Sequence, residues 1–267
     1  MAKSPTGPPP PPPVQKLRLR YTKRGRLRFT SHRDIARAFE RALRRAQVPM
    51  AYSAGFSPHP KISWVGAAPT GVASEAEYVE ISVAERVDLA RLQAALDESL
   101  PDGIDITEVV EAPVGTSLPD RIEASHWSIL LPGVERDEAL QAVGLFLAAE
   151  AILVERLMKQ GLRTLDARAA VVSMSAAAEA DCATLDVVVR HVTPAVRPDD
   201  VLSGLRSVAD LAPPMPPQAT RLAQGPLTET GEVGDPLAPD RTTASETAAG
   251  ATRAGADLEQ AVAGSPT

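Results

Sequence analysis

The chain has 267 residues, of which 44% are hydrophobic and 3% aromatic, with one cysteine and a formal net charge of −6. That length holds one large or two small domains, whose cores must be built from Leu, Val, Ile and Ala. The lone Cys182 excludes a disulfide framework and a three-cysteine iron–sulfur site within the chain, and the lack of a long uncharged apolar run excludes a membrane-spanning helix.

The charge is segregated. Residues 14–64 carry 13 basic and 2 acidic side chains, against 15 and 32 in the remainder. Such a pattern gives either an anion-facing patch or a basic face that docks on the acidic half of the same protein. The N-terminus lacks the charged-then-apolar pattern of a secretory signal, so the cytoplasm is the expected compartment.

Residues 1–15 form a proline-rich leader with six consecutive prolines at 8–13, which adopts polyproline II and stays out of a packed core. From residue 16, Leu17, Leu19 and Tyr21 alternate with Lys16, Arg18 and Arg20, predicting a half-buried strand with cations on its open face. After a turn at Lys23-Arg24-Gly25, Leu27 and Phe29 resume the alternation against Arg26 and Arg28. Ser31 reads as a helix N-cap with Asp34 three residues on. Ile35, Phe39, Ala42, Leu43 and Ala46 form the inward stripe; Arg33, Arg37, Arg41, Arg44 and Arg45 fall on the other side, and Pro49 closes the helix. A loop over 52–60 follows, then strands over 61–65 and 77–83, a helix over 87–100 and a strand region over 104–110. This β-α-β-β-α-β order is the split βαβ pattern of a ferredoxin-like domain, placed at 16–112.

A linker is expected at 113–123, and a weaker second copy at 124–222. Its strands fall at 127–131, 152–158, 163–174, 184–192 and 219–222, with helices at 137–150 and 197–208. The fold class is therefore α+β, tandem ferredoxin-like domains with disordered termini. Residues 223–267 hold seven acidic and two basic residues and no aromatic, the composition of a disordered acidic tail.

Three constellations carry chemistry. Guanidinium forks at Arg33, Arg37, Arg41, Arg44 and Arg45, joined by Arg18, Arg20, Arg26, Arg28 and Lys61, suit a polyanion with regularly spaced phosphates; the same arginines also make an ordinary solvated helix face. His32 and His59, with Ser31, Tyr21 and Tyr52, offer a base and an acid for RNA cleavage, or a local cap and a loop brace. The run Gly55, Phe56, Ser57, Pro58, His59 and Pro60 offers close backbone approach at the glycine and a ring for base stacking, or a crossover loop with Phe56 tucked inward. No zinc spacing, phosphate-binding glycine loop or serine-nucleophile elbow is present, and no cofactor is implied.

The stretch FTSHRDIARAFERALRRAQVPMAYSAGFSPHPKISW, continued by GVASEAEYVEIS, resembles the radical-SAM-associated domain of unknown function, often fused to or encoded beside a radical SAM protein with a cobalamin-binding-type domain. The resemblance covers about residues 16–222, and Leu165-Asp166-Ala167-Arg168 looks like a further family element. Ser57 stands where asparagine is commoner. Without iron–sulfur cysteines the resemblance implies an accessory chain working with a separately encoded radical SAM partner. The family's company with ribonuclease E/G and ribosomal protein genes implies a task on rRNA, tRNA or a ribosomal protein.

The leading expectation is a non-catalytic module that binds RNA or presents substrate, with Ser31, His32 and residues 55–60 as the recognition loop. A metal-independent endoribonuclease using His32 and His59 is one alternative. An adaptor docking its basic face on an acidic partner is the other.

Overall fold

The computed structural model describes residues 10–113, 115–158, 161–180 and 182–241. The first half runs β1 (Gln15–Lys23), α1 (His32–Arg45), β2 (Ile62–Val65), β3 (Ala73–Val83), α2 (Leu89–Ser99) and β4 (Ile106–Glu111). The second runs β5 (Ala124–Pro132), α3 (Arg136–Ala148), β6 (Leu153–Met158), β7 (Gly161–Asp166), α4 (Ala167–Ala170), β8 (Val171–Glu179), β9 (Cys182–Arg190), α5 (Pro198–Ala209) and β10 (Gln218–Gly225). The result is a mixed α/β structure built on one large mixed sheet.

That sheet has the order β4-β1-β3-β10-β5-β9-β8, with β2 also on β3, while β6 and β7 form a separate hairpin. Neighbours are antiparallel except at the junction, where β10 runs parallel to β3 through Thr220↔Ala73 and Arg221↔Ser74. Strand β2 takes the other end of β3, from Ile62↔Ile81 to Val65↔Tyr78. The two halves thus share β3, and the pairing that joins them is short.

Alternation and helical spacing supply two cores. Leu17, Leu19, Val79 and Ile81 on the strands meet Ile35, Phe39 and Leu43 of α1 and Leu92 and Leu96 of α2. In the second half Trp127, Ile129 and Leu131 meet Phe146 of α3 and Leu205 of α5. Helix α5 approaches closely because Gly204 has no side chain; a Cβ there would stand 2.8 Å from the Phe146 ring.

Several expected elements differ. The alternation of Arg26, Leu27, Arg28 and Phe29 folds as a 3-10 turn, Gly25–Phe29, after Gly25 takes φ +55°. A four-residue alternating run is too short to distinguish a strand from a turn. Helix α1 ends before Pro49: the amides of Gln47 and Val48 bond the carbonyls of Arg44 and Leu43, with Gln47 left-handed at φ 53°, a Schellman motif. The strand expected over 163–174 breaks into β7, α4 and β8. Asp166 causes the break, its Oδ1 accepting from the amides of Ile152, Arg168 and Ala169 at 3.1, 3.0 and 3.2 Å. The family-like Leu165-Asp166-Ala167-Arg168 is thus a helix cap in this structure.

The largest departure concerns the back face of the first half, opposite α1 and α2. It was expected to carry exposed cations; instead it is covered. Leu118, from the expected linker, and Leu237, from the expected tail, are both fully buried with Val65, Ala76, Tyr78 and Val110. Residues 223–241 are therefore folded structure rather than tail, and the rest of the expected tail, like residues 1–9 of the leader, lies outside the described residues. Arg18 is fully buried on this face. Its Nε donates to Glu80 at 3.0 Å, its Nη1 to both Asp240 oxygens at 2.8 Å, and its Nη2 to the Thr116 hydroxyl and carbonyl at 3.0 and 3.1 Å.

Candidate nucleic-acid interface

Helix α1 starts where Ser31 accepts from the amide of Asp34 at 3.3 Å and its hydroxyl donates to the Asp34 carboxylate at 2.7 Å. With Ile35, Ala38, Phe39, Ala42 and Leu43 buried, the five arginines point outward, and all five are exposed. Arg37 reaches Asp34 at 3.4 Å and Arg44 reaches Glu40 at 3.9 Å. Among the described residues Arg33, Arg41 and Arg45 have no carboxylate within ion-pairing distance. One turn of helix separates Arg33 from Arg37 and Arg37 from Arg41, so the guanidiniums form a row along the axis.

The loop beside the helix is closed at its base. Tyr52 bridges Pro60, Ser53 donates its amide to the His59 carbonyl at 2.9 Å, and the His59 amide donates to the Ser53 hydroxyl at 3.0 Å. Gly55 takes φ +139° at the tip. Phe56 projects outward at 70% exposure and is not a core residue; Ser57, Pro58 and His59 are exposed beside it. A groove of about 240 Å³ runs between helix and loop, lined by Glu40, Arg44, Tyr52, Pro58 and Pro60 among others. The arrangement thus joins a guanidinium, a phenol, two prolines and an exposed aromatic ring in and beside one groove, a combination suited to an unpaired polynucleotide strand.

His32 caps an aromatic cluster. Its ring meets Trp64 edge-on at 5.1 Å; Trp64 meets Phe39 at 5.1 Å and Tyr21 at 6.1 Å, and Tyr21 meets Phe39 at 4.8 Å. Pairs of this geometry contribute about 0.5–1.5 kcal/mol each beyond their burial. Tyr21 is 2% exposed, and burial, reinforced by the nearby Glu77 carboxylate, pushes its phenol well above the ordinary range. It is a core residue and not part of a reactive surface. No hydrogen bond joins His32 and His59, and the side chain of neither has a hydrogen-bond partner among the described residues. Trp64, which holds His32 in place, escaped the sequence reading; a tryptophan one strand beyond a helix-capping histidine was the available signal.

The remaining predicted cations do not join this row. Arg18 is sealed under the back-face segment. Arg20 donates to the Glu75 carbonyl at 3.1 Å. Arg28 is held by the Gly71 carbonyl at 2.9 Å and by Gln218 at 3.1 Å, and lies 5.3 Å from the Phe29 ring centre. Arg26 is exposed on the 3-10 turn, and Lys61 is half-buried next to β2. The candidate surface is therefore α1 with the 52–60 loop beside it, and the β1 cations Arg18 and Arg20 are held by other parts of the fold. Among the described residues no three His, Cys, Asp or Glu side chains cluster as metal ligands, and no helix is long and apolar enough to cross a membrane.

Comparison with known proteins adds a family. No curated protein matches the chain. Among solved structures, the encapsulated DyP-type peroxidase from Mycobacterium smegmatis aligns with 82% of this chain and 94% of its own, at 10% identity and a TM-score of 0.20. That likeness carries no argument about fold or activity. A family model matches residues 16–198, from β1 to the first residue of α5 and so across most of both halves. By that match the chain belongs to the family described as uncharacterized protein conserved in bacteria (DUF2344).

Proposed function

We propose that this chain is a cytoplasmic RNA-binding accessory module that holds rRNA or tRNA on the outer face of α1 and presents it to a separately encoded radical SAM partner, in the company of ribonuclease E/G. The observation that carries the reading is the row of five exposed arginines, three of them without a carboxylate partner, beside a groove and the outward Phe56 ring. We also read the two halves, at about 16–112 and 124–222, as tandem ferredoxin-like units. The strand orders β4-β1-β3-β2 and β10-β5-β9-β8 support this, with the β6–β7 hairpin and α4 as an insertion in the second.

The test is the affinity of purified protein for cellular RNA across a salt series, with crosslinked RNA sequenced. Each phosphate contact to a single strand gives a slope of about −0.7 in log K against log salt. Arg33→Glu, Arg41→Glu and Arg45→Glu together are expected to flatten that slope by about 2 units and to lower affinity at least about 100-fold. Unchanged affinity would remove the RNA reading and favour an adaptor, recognised by capture of one protein partner that survives nuclease treatment. Cleavage that persists in EDTA and is lost on His59→Ala would instead establish the endoribonuclease.

A further inference from the structure

A second concave site lies away from α1. Where the two halves meet, a cavity of about 580 Å³ opens between the β2–β3 loop, with Pro69 on its wall, and the face of β5, β9 and β10 that carries Trp127, Val189 and Arg221, with His191 just past the end of β9. Its volume falls within the range of small-molecule sites. Most of the wall is apolar, and the charged side chains that line it are two arginines, Arg197 and Arg221; no lining residue is acidic.

The charge behind this wall does not cancel. Arg221 is 3% exposed, Lys23 3% and Glu77 2%. The Arg221 Nη2 pairs with Glu77, its Nε reaches the Ser74 hydroxyl at 3.4 Å, and its guanidinium lies 5.4 Å from the Trp127 ring centre. Its Nη1 has no partner among the described residues. Lys23 has no carboxylate within ion-pairing distance among them; its Nζ donates to the carbonyl of Pro69 at 3.1 Å. Glu77 is further occupied by the amide of Ala68 at 2.9 Å. Two buried basic groups, Arg221 and Lys23, thus face one buried carboxylate, and burial, with Arg221 adding to it against Glu77, lowers the Lys23 pKa; an arriving counter-charge would offset that cost.

Of the other polar groups in the wall, the Ser125 hydroxyl and the His191 Nε2 bond each other at 2.8 Å. Burial, then the neighbouring Arg221, holds His191 below its ordinary range, so the ring adds no cation and the arginines define the charge. Arg197 is exposed at the rim with no carboxylate within ion-pairing distance among the described residues.

We infer that this junction cavity binds a small anion carried on an apolar ring, its carboxylate or phosphate reaching Arg221 and Arg197 and its ring lying against the apolar wall. The site is separate from the α1 surface and does not depend on the RNA reading. An occupant here would bridge both halves of the sheet across their short β3–β10 pairing.

Calorimetric titration of the full chain with phenyl phosphate tests this, with inorganic phosphate and phenol as the anion and the ring alone. Saturable binding of phenyl phosphate at least about tenfold tighter than either control is expected. Arg197→Glu should weaken it at least about tenfold, as should Ala195→Trp, which fills the cavity from its rim without touching the buried charges. The triple α1 variant should bind phenyl phosphate normally, which separates failure of this site from failure of the RNA reading. Absence of saturable binding, equal affinity for inorganic phosphate, or indifference to both cavity variants would overturn the inference.

Discussion

Arg18 shows how a residue's chemistry depends on what covers it. All five of its N–H donors are spent on Glu80, Asp240 and Thr116, and Lys16 and Arg121 brace the two carboxylates at 2.8 and 3.0 Å. Removing one member of a buried ion network strands the others, so Arg18→Met is expected to cost about 3–5 kcal/mol in urea unfolding. On the proposed RNA reading, the salt slope should not move, in contrast to the α1 variants. Tyr78 gives a second residue-scale prediction. Burial, reinforced by Asp235 and Glu108 against an opposing Arg20, pushes its phenol up to about 12 from 10.0. Because the folded state holds this proton more tightly, the contribution is complete below pH 10 and is lost as pH rises toward 12. Tyr78→Phe should therefore flatten the alkaline fall in stability by about 2–3 kcal/mol. Identical profiles for parent and variant above pH 10 would contradict that assignment.

At the scale of elements, α1 contains a correctable flaw. Its Schellman end places Gln47 at φ 53°, where a Cβ costs about 1 kcal/mol relative to glycine. Gln47→Gly is expected to raise the urea midpoint by the equivalent of about 0.5–1 kcal/mol without changing its slope. An unchanged or lowered midpoint would mean that the side chain makes up the strain elsewhere. The helices were legible because a 3.6-residue stripe such as Ile35, Phe39, Ala42 and Leu43 reports burial directly. Strand β1 was legible as a strand, but its alternation shows only that one face is apolar. Nothing local to Arg18 and Arg20 says that a segment two hundred residues later covers the other. The arginine row on α1 could be read because helix geometry fixes both its spacing and its face, whereas the junction cavity could not. Lys23, Glu77 and Arg221 are far apart in sequence and converge only through the β1–β3 and β3–β10 pairings.

For the whole molecule, residues 226–241 act as the missing layer of the first half. They cover the sheet opposite α1 and α2, burying Leu237 completely against Tyr78, Val110 and Leu118, and they deliver Asp240 to Arg18. Burying one leucine contributes about 1.5–3 kcal/mol. Leaving Arg18 without Asp240 costs about 3–5 kcal/mol. Together these approach the whole stability of an ordinary domain, about 5–15 kcal/mol. A chain ending at Gly225 keeps every strand of the large sheet, yet is expected to lose cooperative urea unfolding or to shift its midpoint by several kcal/mol. A chain ending at Arg241 retains the Leu237 and Asp240 contacts and should unfold cooperatively. Equal midpoints for the two would show that the sheet and helices alone hold the first half, and would return the back face of β1 to solvent. Only in that case would Arg18 and Arg20 be available to a polyanion.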